Sequence, residues 1–314
     1  MTMTRRASLK AGFALFAATM TSSSFARKGF FAERGLPLGL QLYTLGDAPR
    51  TDLEGTLKRV AAIGYKTVEL PGLRLGDAAR VKAAADKAGL SIGSVHLQSQ
   101  PRGEDMSLAL EPSKLAAELR TLGATEVVLP VPLFPTVKPE PGEDLWQAVT
   151  RAFASAGADS WKRTAAFLNK HGEWLRREGI HLSYHNHNFE FAPVSGGVSG
   201  WDILVAETDP KLVSFEVDTG WVAAGGIDPV AFLRRHAGRV RLMHVKDILP
   251  STKPNFRGSM DPTEVGSGTI AWKELLPVAH DAGVRHFYVE QEPPFLIDRF
   301  DAVARSYAFL TNKV

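Results

Sequence analysis

The 314-residue chain contains no cysteine. Without thiol groups it can form no disulfide framework, offer no thiolate to a metal and use no cysteine nucleophile. Any metal site must therefore be built from nitrogen and oxygen donors. The hydrophobic fraction of 44% and the charged fraction of 23% are ordinary for a globular protein, and the length allows one large core or two medium ones.

An excess of positive charge is also missing once the first 26 residues are set aside. The formal net charge is +3, but Arg5, Arg6 and Lys10 are the only charged residues of that segment, which leaves 34 basic and 34 acidic residues. A broad nucleic-acid-binding surface needs clustered excess lysine and arginine. We therefore expect no nucleic-acid partner.

No apolar run is long enough to span a bilayer as a helix, so stable membrane insertion is not expected. Residues 4–10 instead show a twin-arginine pattern, followed by an apolar run at 11–20 and small residues up to Ala26. This order is typical of an export signal with a cleavage site. We predict a signal peptide at 1–26 and a periplasmic or otherwise exported protein. A disordered tail is the alternative.

Eight segments that read as strands alternate with helical segments. The strands are predicted at residues 38–43, 66–70, 91–97, 126–129, 182–187, 212–217, 240–245 and 286–289. This alternation predicts a parallel sheet, and eight units predict a single (β/α)8 TIM barrel over 38–314, preceded by an N-terminal extension at 27–37. An open doubly wound sheet would usually show a glycine-rich phosphate loop after the first strand, and residues 43–47 are not one.

One long connection follows the fourth predicted strand. Residues 130–141 contain five prolines, which prevent extended regular structure. We predict a loop over one end of the domain, with an inserted helix at 143–156.

Polar side chains collect at the predicted carboxyl ends of seven of the eight strands. They are Gln41, Tyr43, Glu69, His96, His185, His187, Asp218, His244, Lys246 and Glu290. His185 and His187 are two residues apart on a strand and so face the same way, and Glu190 follows closely. Because TIM barrels carry their chemistry at this end, the pattern indicates an active site rather than satisfied core groups.

Four of these residues form a candidate metal site. His185, Asp218, His244 and Glu290 end four consecutive strands, which are neighbours in a barrel. Their nitrogen and carboxylate donors suit one divalent ion, Mn²⁺, Zn²⁺, Co²⁺, Fe²⁺ or Mg²⁺. Alternatively Asp218 caps a turn, His244 is a core histidine, and Glu190 replaces His185 as the ligand of the fifth strand.

The remaining residues have candidate roles around the metal. Lys246 could hold a substrate hydroxyl or carry an oxyanion, or it could pair with Glu290 or Glu292. Glu69 and His96 could contact substrate, act as acid/base groups or serve as structural hydrogen-bond partners. Trp221 could provide an apolar wall for a sugar face.

Seven segments together resemble the sugar phosphate isomerase/epimerase branch of the xylose-isomerase-like superfamily. They are residues 39–44, 64–69, 184–187, 218–221, 244–247, 264–268 and 289–291, and the resemblance covers about 38–312. It implies one divalent metal held by Asp218, His244 and Glu290. From their positions in the predicted barrel, we name Gln41, Tyr43, Glu69, His96 and Trp221 as substrate-binding candidates. The chain departs from the pattern at His185, where the superfamily commonly has glutamate, and at Trp221, where several relatives have histidine.

The resemblance implies a metal-dependent isomerase or epimerase that acts on a keto-sugar or related carbohydrate. In ketose epimerases of the superfamily two glutamates face opposite sides of the reacting carbon. With His185 in one of those places, Glu190, His187 or Lys246 could supply the second acid/base, alongside Glu290. A lyase resembling inosose dehydratase or eliminating from a keto-glycoside is the alternative, followed by a non-catalytic sugar-binding barrel. A nuclease is disfavoured by the neutral charge, and the oligomeric state is left open.

Overall fold

The computed structural model describes residues 29–194 and 196–314, where eight parallel strands close into a barrel. The strands are β1 (Leu38–Gln41), β2 (Thr67–Leu70), β3 (Ser91–His96), β4 (Glu126–Leu129), β5 (His181–His185), β6 (Val213–Asp218), β7 (Val240–Val245) and β8 (His286–Val289). Each strand pairs with the next, and β8 pairs with β1. The predicted barrel is confirmed and the doubly wound sheet is excluded. The predicted signal, 1–26, lies outside the described residues.

Helices connect these strands and form the outer layer. They are α1 (Phe30–Arg34), α2 (Ala48–Thr51), α3 (Leu53–Ile63), α4 (Ala78–Ala88), α5 (Pro112–Leu122), α6 (Leu145–Ala156), α7 (Ala158–Arg177), α8 (Gly200–Glu207), α9 (Thr219–Ala224), α10 (Pro229–Arg235), α11 (Trp272–Ala282) and α12 (Arg299–Asn312). Within the described ranges, none has the length and apolar character needed to cross a membrane.

Local signals in the sequence determine where helices begin and end, as α3 illustrates. Helix α3 begins after Asp52, whose side chain accepts a hydrogen bond from Gly55 N at 2.9 Å. It ends at Gly64, whose φ of 126° favours glycine. Leu57 and Val60 on its inner face are buried in the core. Because each connecting helix carries the chain back along the barrel, all strands start at the same end of the barrel. Their carboxyl ends therefore lie together at the opposite end.

Two long connections rise over the carboxyl ends of the strands. The first runs from residue 130 to 144 without helix or strand and leads into α6, as predicted. The second contains a short antiparallel ribbon, Asp247–Ile248 with Pro262–Thr263. Thr150 Oγ1 of α6 donates a hydrogen bond to Phe256 O at 3.1 Å, so the two connections touch.

The opposite end of the barrel is tied by an ion pair between strands that are not neighbours. Glu126 at the start of β4 is 1% exposed, and Arg241 of β7 donates to it through Nε at 2.9 Å and Nη2 at 2.7 Å. Residues at this end of a TIM barrel usually contribute to stability rather than to catalysis. The pair therefore offers a test of fold stability that is separate from the site.

We expect Glu126→Ala to lower the free energy of unfolding by about 2–3 kcal/mol, because Arg241 loses a buried partner. Glu178→Ala is the matched control, since it removes an exposed pair with Arg120 at 2.6 Å and should cost less than about 1 kcal/mol. Urea unfolding of both variants measures the difference. Equal effects would mean that the bridge across the barrel contributes no more than a surface pair.

Candidate active site

The carboxyl ends of the strands open into a cavity of about 800 Å³. Seven of the residues predicted from the sequence line it, namely Gln41, Tyr43, His96, His185, His187, Trp221 and Glu290. Asp218, His244 and Lys246 are fully buried, and the last two contact Glu290. The polar strand ends thus meet at one place.

Three of the four predicted metal ligands come together. Donor atoms of Asp218, His244 and Glu290 all lie within 4.8 Å of one another. His244 Nδ1 is 2.8 Å from Glu290 Oε2 and 3.6 Å from Asp218 Oδ2. Asp218 Oδ1 accepts a hydrogen bond from Trp221 N at the start of α9, whereas its Oδ2 is buried without a hydrogen bond of good geometry. One oxygen therefore caps the helix and the other faces the group.

The ammonium of Lys246 lies between the carboxylates of this group. Its Nζ is 2.8 Å from Asp218 Oδ2, 2.7 Å from Glu290 Oε2 and 3.3 Å from Glu292 Oε1. Burial acts to lower the pKa of Lys246, but the carboxylates outweigh it and raise the pKa well above its ordinary value. Burial acts to raise the pKa of Glu290, but Lys246 and His244 hold it below its ordinary value.

His185, the fourth predicted ligand, lies in a second group. Its donor atom and those of His96, Glu216 and His244 are within 4.8 Å of one another. Glu216 Oε2 is 2.9 Å from His96 Nε2 and 3.1 Å from His185 Nδ1. Burial and the charge of Glu69 raise the pKa of Glu216 to about 7, and burial lowers the pKa of His185. His244 joins the two groups, and the metal role of His185 stays a prediction.

Glu216 is a site residue that the sequence prediction missed. It precedes Asp218 by two positions on β6, and residues two apart on a strand face the same way. This spacing was the available signal. The apolar neighbours Phe215 and Val217 instead made the segment read as a purely structural strand.

Glu69, predicted to contact substrate, is fully buried among other side chains. Its Oε1 accepts a hydrogen bond from Gln41 Nε2 at 2.8 Å and lies 2.6 Å from His244 Nε2, and its Oε2 accepts from Ser94 Oγ. Glu69 therefore holds the His244 ring at the nitrogen opposite the one that faces Glu290. Such partners fix the orientation of a metal-binding histidine.

His187 and Glu190, both predicted as acid/base groups, differ in what they face. His187 lines the cavity, with its ring 5.3 Å from Phe189 and 5.5 Å from Trp221, and burial lowers its pKa to about 4. Glu190 is fully buried, and it accepts hydrogen bonds from Tyr184 OH at 2.7 Å and His187 N at 2.9 Å. Glu190 thus holds the loop that presents His187, and its acid/base role stays a prediction.

A family model described as Xylose isomerase-like TIM barrel matches residues 57–312. The chain belongs to this family. The match includes β2 to β8 and therefore every residue of the two groups described above. The resemblance to the xylose-isomerase-like superfamily is confirmed, and the export signal stays a prediction.

Similar proteins of this family are enzymes. Inosose dehydratase 2 of Bacillus cereus is 23% identical over 167 residues, which are 49% of this chain and 55% of the relative, so the match spans about half of that enzyme. A crystal structure of a sugar phosphate isomerase/epimerase from Parabacteroides distasonis has a TM-score of 0.69 at 25% identity and covers 95% of this chain and 99% of that chain.

A further solved relative is a xylose isomerase-like TIM barrel protein from Mycobacterium smegmatis in complex with magnesium. Its TM-score is 0.62 at 14% identity, over 88% of this chain and 96% of that chain. At this identity the likeness shows the fold alone.

Proposed function

We propose that this xylose isomerase-like barrel is a metal-dependent enzyme that isomerises or epimerises a keto-sugar or related carbohydrate. The observation that carries the proposal is the convergence of Asp218, His244 and Glu290 beside a cavity of about 800 Å³. Cavities with a few convergent polar groups at this end of a TIM barrel are the usual places of its chemistry.

The residues fit a divalent cation. Asp218 and Glu290 already share one positive charge, the ammonium of Lys246, and Asp218 Oδ2 is a buried acceptor without a well-formed hydrogen bond. Two carboxylates and an imidazole suit Mn²⁺, Zn²⁺, Co²⁺, Fe²⁺ or Mg²⁺. We propose that these three residues hold the ion, with His185 as a further candidate. A bound ion would polarise a carbonyl or hydroxyl and stabilise developing negative charge.

The chain's own side chains supply the other requirements for removing a proton next to a carbonyl. His187 presents an imidazole to the cavity, and a histidine in this position can take or return a proton. Lys246 carries a positive charge that favours an oxyanion, and Glu290 lines the cavity as a carboxylate. Gln41, the last residue of β1, and Tyr43, two residues further, line the cavity, and we propose that they contact sugar hydroxyls.

Elimination is the second candidate, and the position of Glu190 favours it. Both oxygens of Glu190 are engaged by Tyr184 and His187, so this carboxylate does not face Glu290 across the cavity as a symmetric two-glutamate epimerisation requires. An epimerisation would then need another group, such as His187, to return the proton, whereas loss of a β-oxygen needs no proton returned to that carbon. The similarity to inosose dehydratases supports the same choice.

The proposal is tested by solvent exchange. The purified protein is loaded with each divalent metal in turn and incubated with keto-sugars in deuterium oxide. Incorporation of deuterium next to the carbonyl, with an epimer, isomer or dehydrated product, is the expected result. Absence of both exchange and elimination with every metal, despite measured metal binding, would contradict the function and favour a sugar-binding barrel.

A further inference from the structure

Exposed apolar side chains gather at the mouth of the active-site cavity. Among the described side chains, the large hydrophobic ones that are exposed are Tyr43, Leu75, Phe134, Leu145, Val198 and Leu296. Three of these, Tyr43, Phe134 and Leu145, line this one cavity, and Leu145 is 61% exposed. Contiguous exposed apolar surface in a folded protein usually marks a binding site.

One wall of the cavity comes from the connection between β4 and α7. We call it the apolar wall, and it consists of Val131, Phe134, Val137, Leu145 and Val149. The floor is instead polar and is formed by His96, His185, His187 and Glu290. The lining therefore includes apolar side chains from one connection and polar side chains from the strand ends, and a ligand that contacts both must carry apolar and polar parts.

The apolar wall is held in place by contacts with the rest of the barrel. The Phe134 ring lies 5.8 Å from Phe153 and 6.4 Å from Phe189, and Phe189 in turn stacks on His187 at 5.3 Å. Arg151 Nη2 donates a hydrogen bond to Lys138 O at 2.7 Å and thereby fixes the loop before α6. An aromatic path thus leads from the exposed wall down to the floor.

We propose that the substrate is a keto-glycoside, with its sugar on the polar floor and an aromatic or otherwise apolar aglycone against the apolar wall. The proposal rests on the function given above and names its substrate class. A cavity of about 800 Å³ falls in the range of about 300–1,000 Å³ that buries drug-sized ligands, which are much larger than one sugar ring. A free keto-sugar, polar on all sides, would leave the wall uncovered.

A keto-glycoside also provides the leaving group that an elimination requires. With the carbonyl at C3 of the sugar, a base removes the proton from C2, and the electron pair of that C–H bond forms the C1–C2 double bond. The C1–O bond breaks, and the aglycone leaves with its oxygen and takes up a proton. The step is redox-neutral and needs no co-reactant. An apolar wall beside the floor gives the departing aglycone a place to bind.

The test compares two substrates and three proteins. The 3-keto derivative of 4-nitrophenyl β-glucoside and free 3-keto-glucose are assayed with wild type, with the double variant Phe134→Ala/Leu145→Ala, and with Leu296→Ala. Leu296 is the matched control because it is 79% exposed and does not line the cavity. We expect wild type to prefer the aryl substrate in kcat/KM and the double variant to lose about ten-fold of that preference. The control should keep it.

Calorimetry separates this proposal from the proposed function. If neither substrate reacts, binding of unoxidised phenyl β-glucoside is compared with binding of glucose. Stronger binding of the phenyl glucoside that is lost in the double variant, with unchanged melting temperature, would support the apolar subsite even for an inactive barrel. If wild type and both variants showed the same preference for the aryl glycoside over the free sugar, in turnover or in binding, the proposed apolar subsite would be wrong.

Discussion

Replacing Glu290 with glutamine should remove most of the metal affinity and most of the activity. The substitution keeps the size of the side chain but takes one of two negative charges from the group formed with Asp218 and His244. It also removes a carboxylate that lines the cavity. We expect kcat/KM for proton exchange to fall by about 10³-fold, the size of effect seen when a group that acts on the transition state is lost. Metal content and exchange rate are measured together.

Glu292→Gln is the matched control for this experiment. Glu292 also faces Lys246, at 3.3 Å, and lines the same cavity, but it does not belong to the group of three. Its loss should leave metal content close to that of wild type and reduce activity far less. If both variants retained full metal, or if Glu292→Gln lost it equally, the assignment of Asp218, His244 and Glu290 as ligands would be wrong.

The barrel was predictable because its signals are local. Most strands contain a short apolar stretch, and helices α3, α5 and α6 each begin after a capping side chain and end at a glycine, as Asp52 and Gly64 bound α3. Once eight such units close, the carboxyl ends must meet, so the approach of Asp218, His244 and Glu290 followed from topology alone. Their proximity could be predicted without knowing how the side chains pack.

The parts of the site that the sequence did not predict depend on packing between distant segments. Glu216 carries the links to His96 and His185, yet its place in β6 reads as strand interior. The sequence also could not show which carboxylates pair with Lys246, because spacing does not distinguish them. In the structure Asp218, Glu290 and Glu292 all lie close to its ammonium.

The apolar wall was hidden for a different reason. Residues 130–144 have neither helical nor strand periodicity, so no pattern tells which of their side chains face inward. Phe134 is directed by its contacts with Phe153 and Phe189, which come from other elements. Only the folded chain places these rings beside the strand ends.

The exchange of Lys246 for methionine should have opposite effects on metal binding and on activity. In the protein the ammonium lies within 2.8 Å of both Asp218 and Glu290, so it competes with a divalent ion for the same oxygens. Without the lysine, the buried carboxylates lose their counter-charge, and we expect the metal-free protein to lose about 3–5 kcal/mol of stability. Activity should fall by about 10²-fold, because the oxyanion loses a positive neighbour.

A divalent ion should then restore Lys246→Met more strongly than it stabilises wild type, because a ligand that binds only the folded state raises stability by mass action and no ammonium opposes it here. Melting temperatures with and without metal measure the difference, and Lys253→Met, which changes an exposed lysine in the next connection, is the control. The same metal-induced shift in wild type and both variants would show that Lys246 and the ion do not share these carboxylates. A larger shift in Lys246→Met alone, together with the loss of activity, would place the lysine and the metal at one site. In that case the ammonium neutralises Asp218 and Glu290 until the ion binds. Once the ion is bound, the ammonium can interact with the substrate instead.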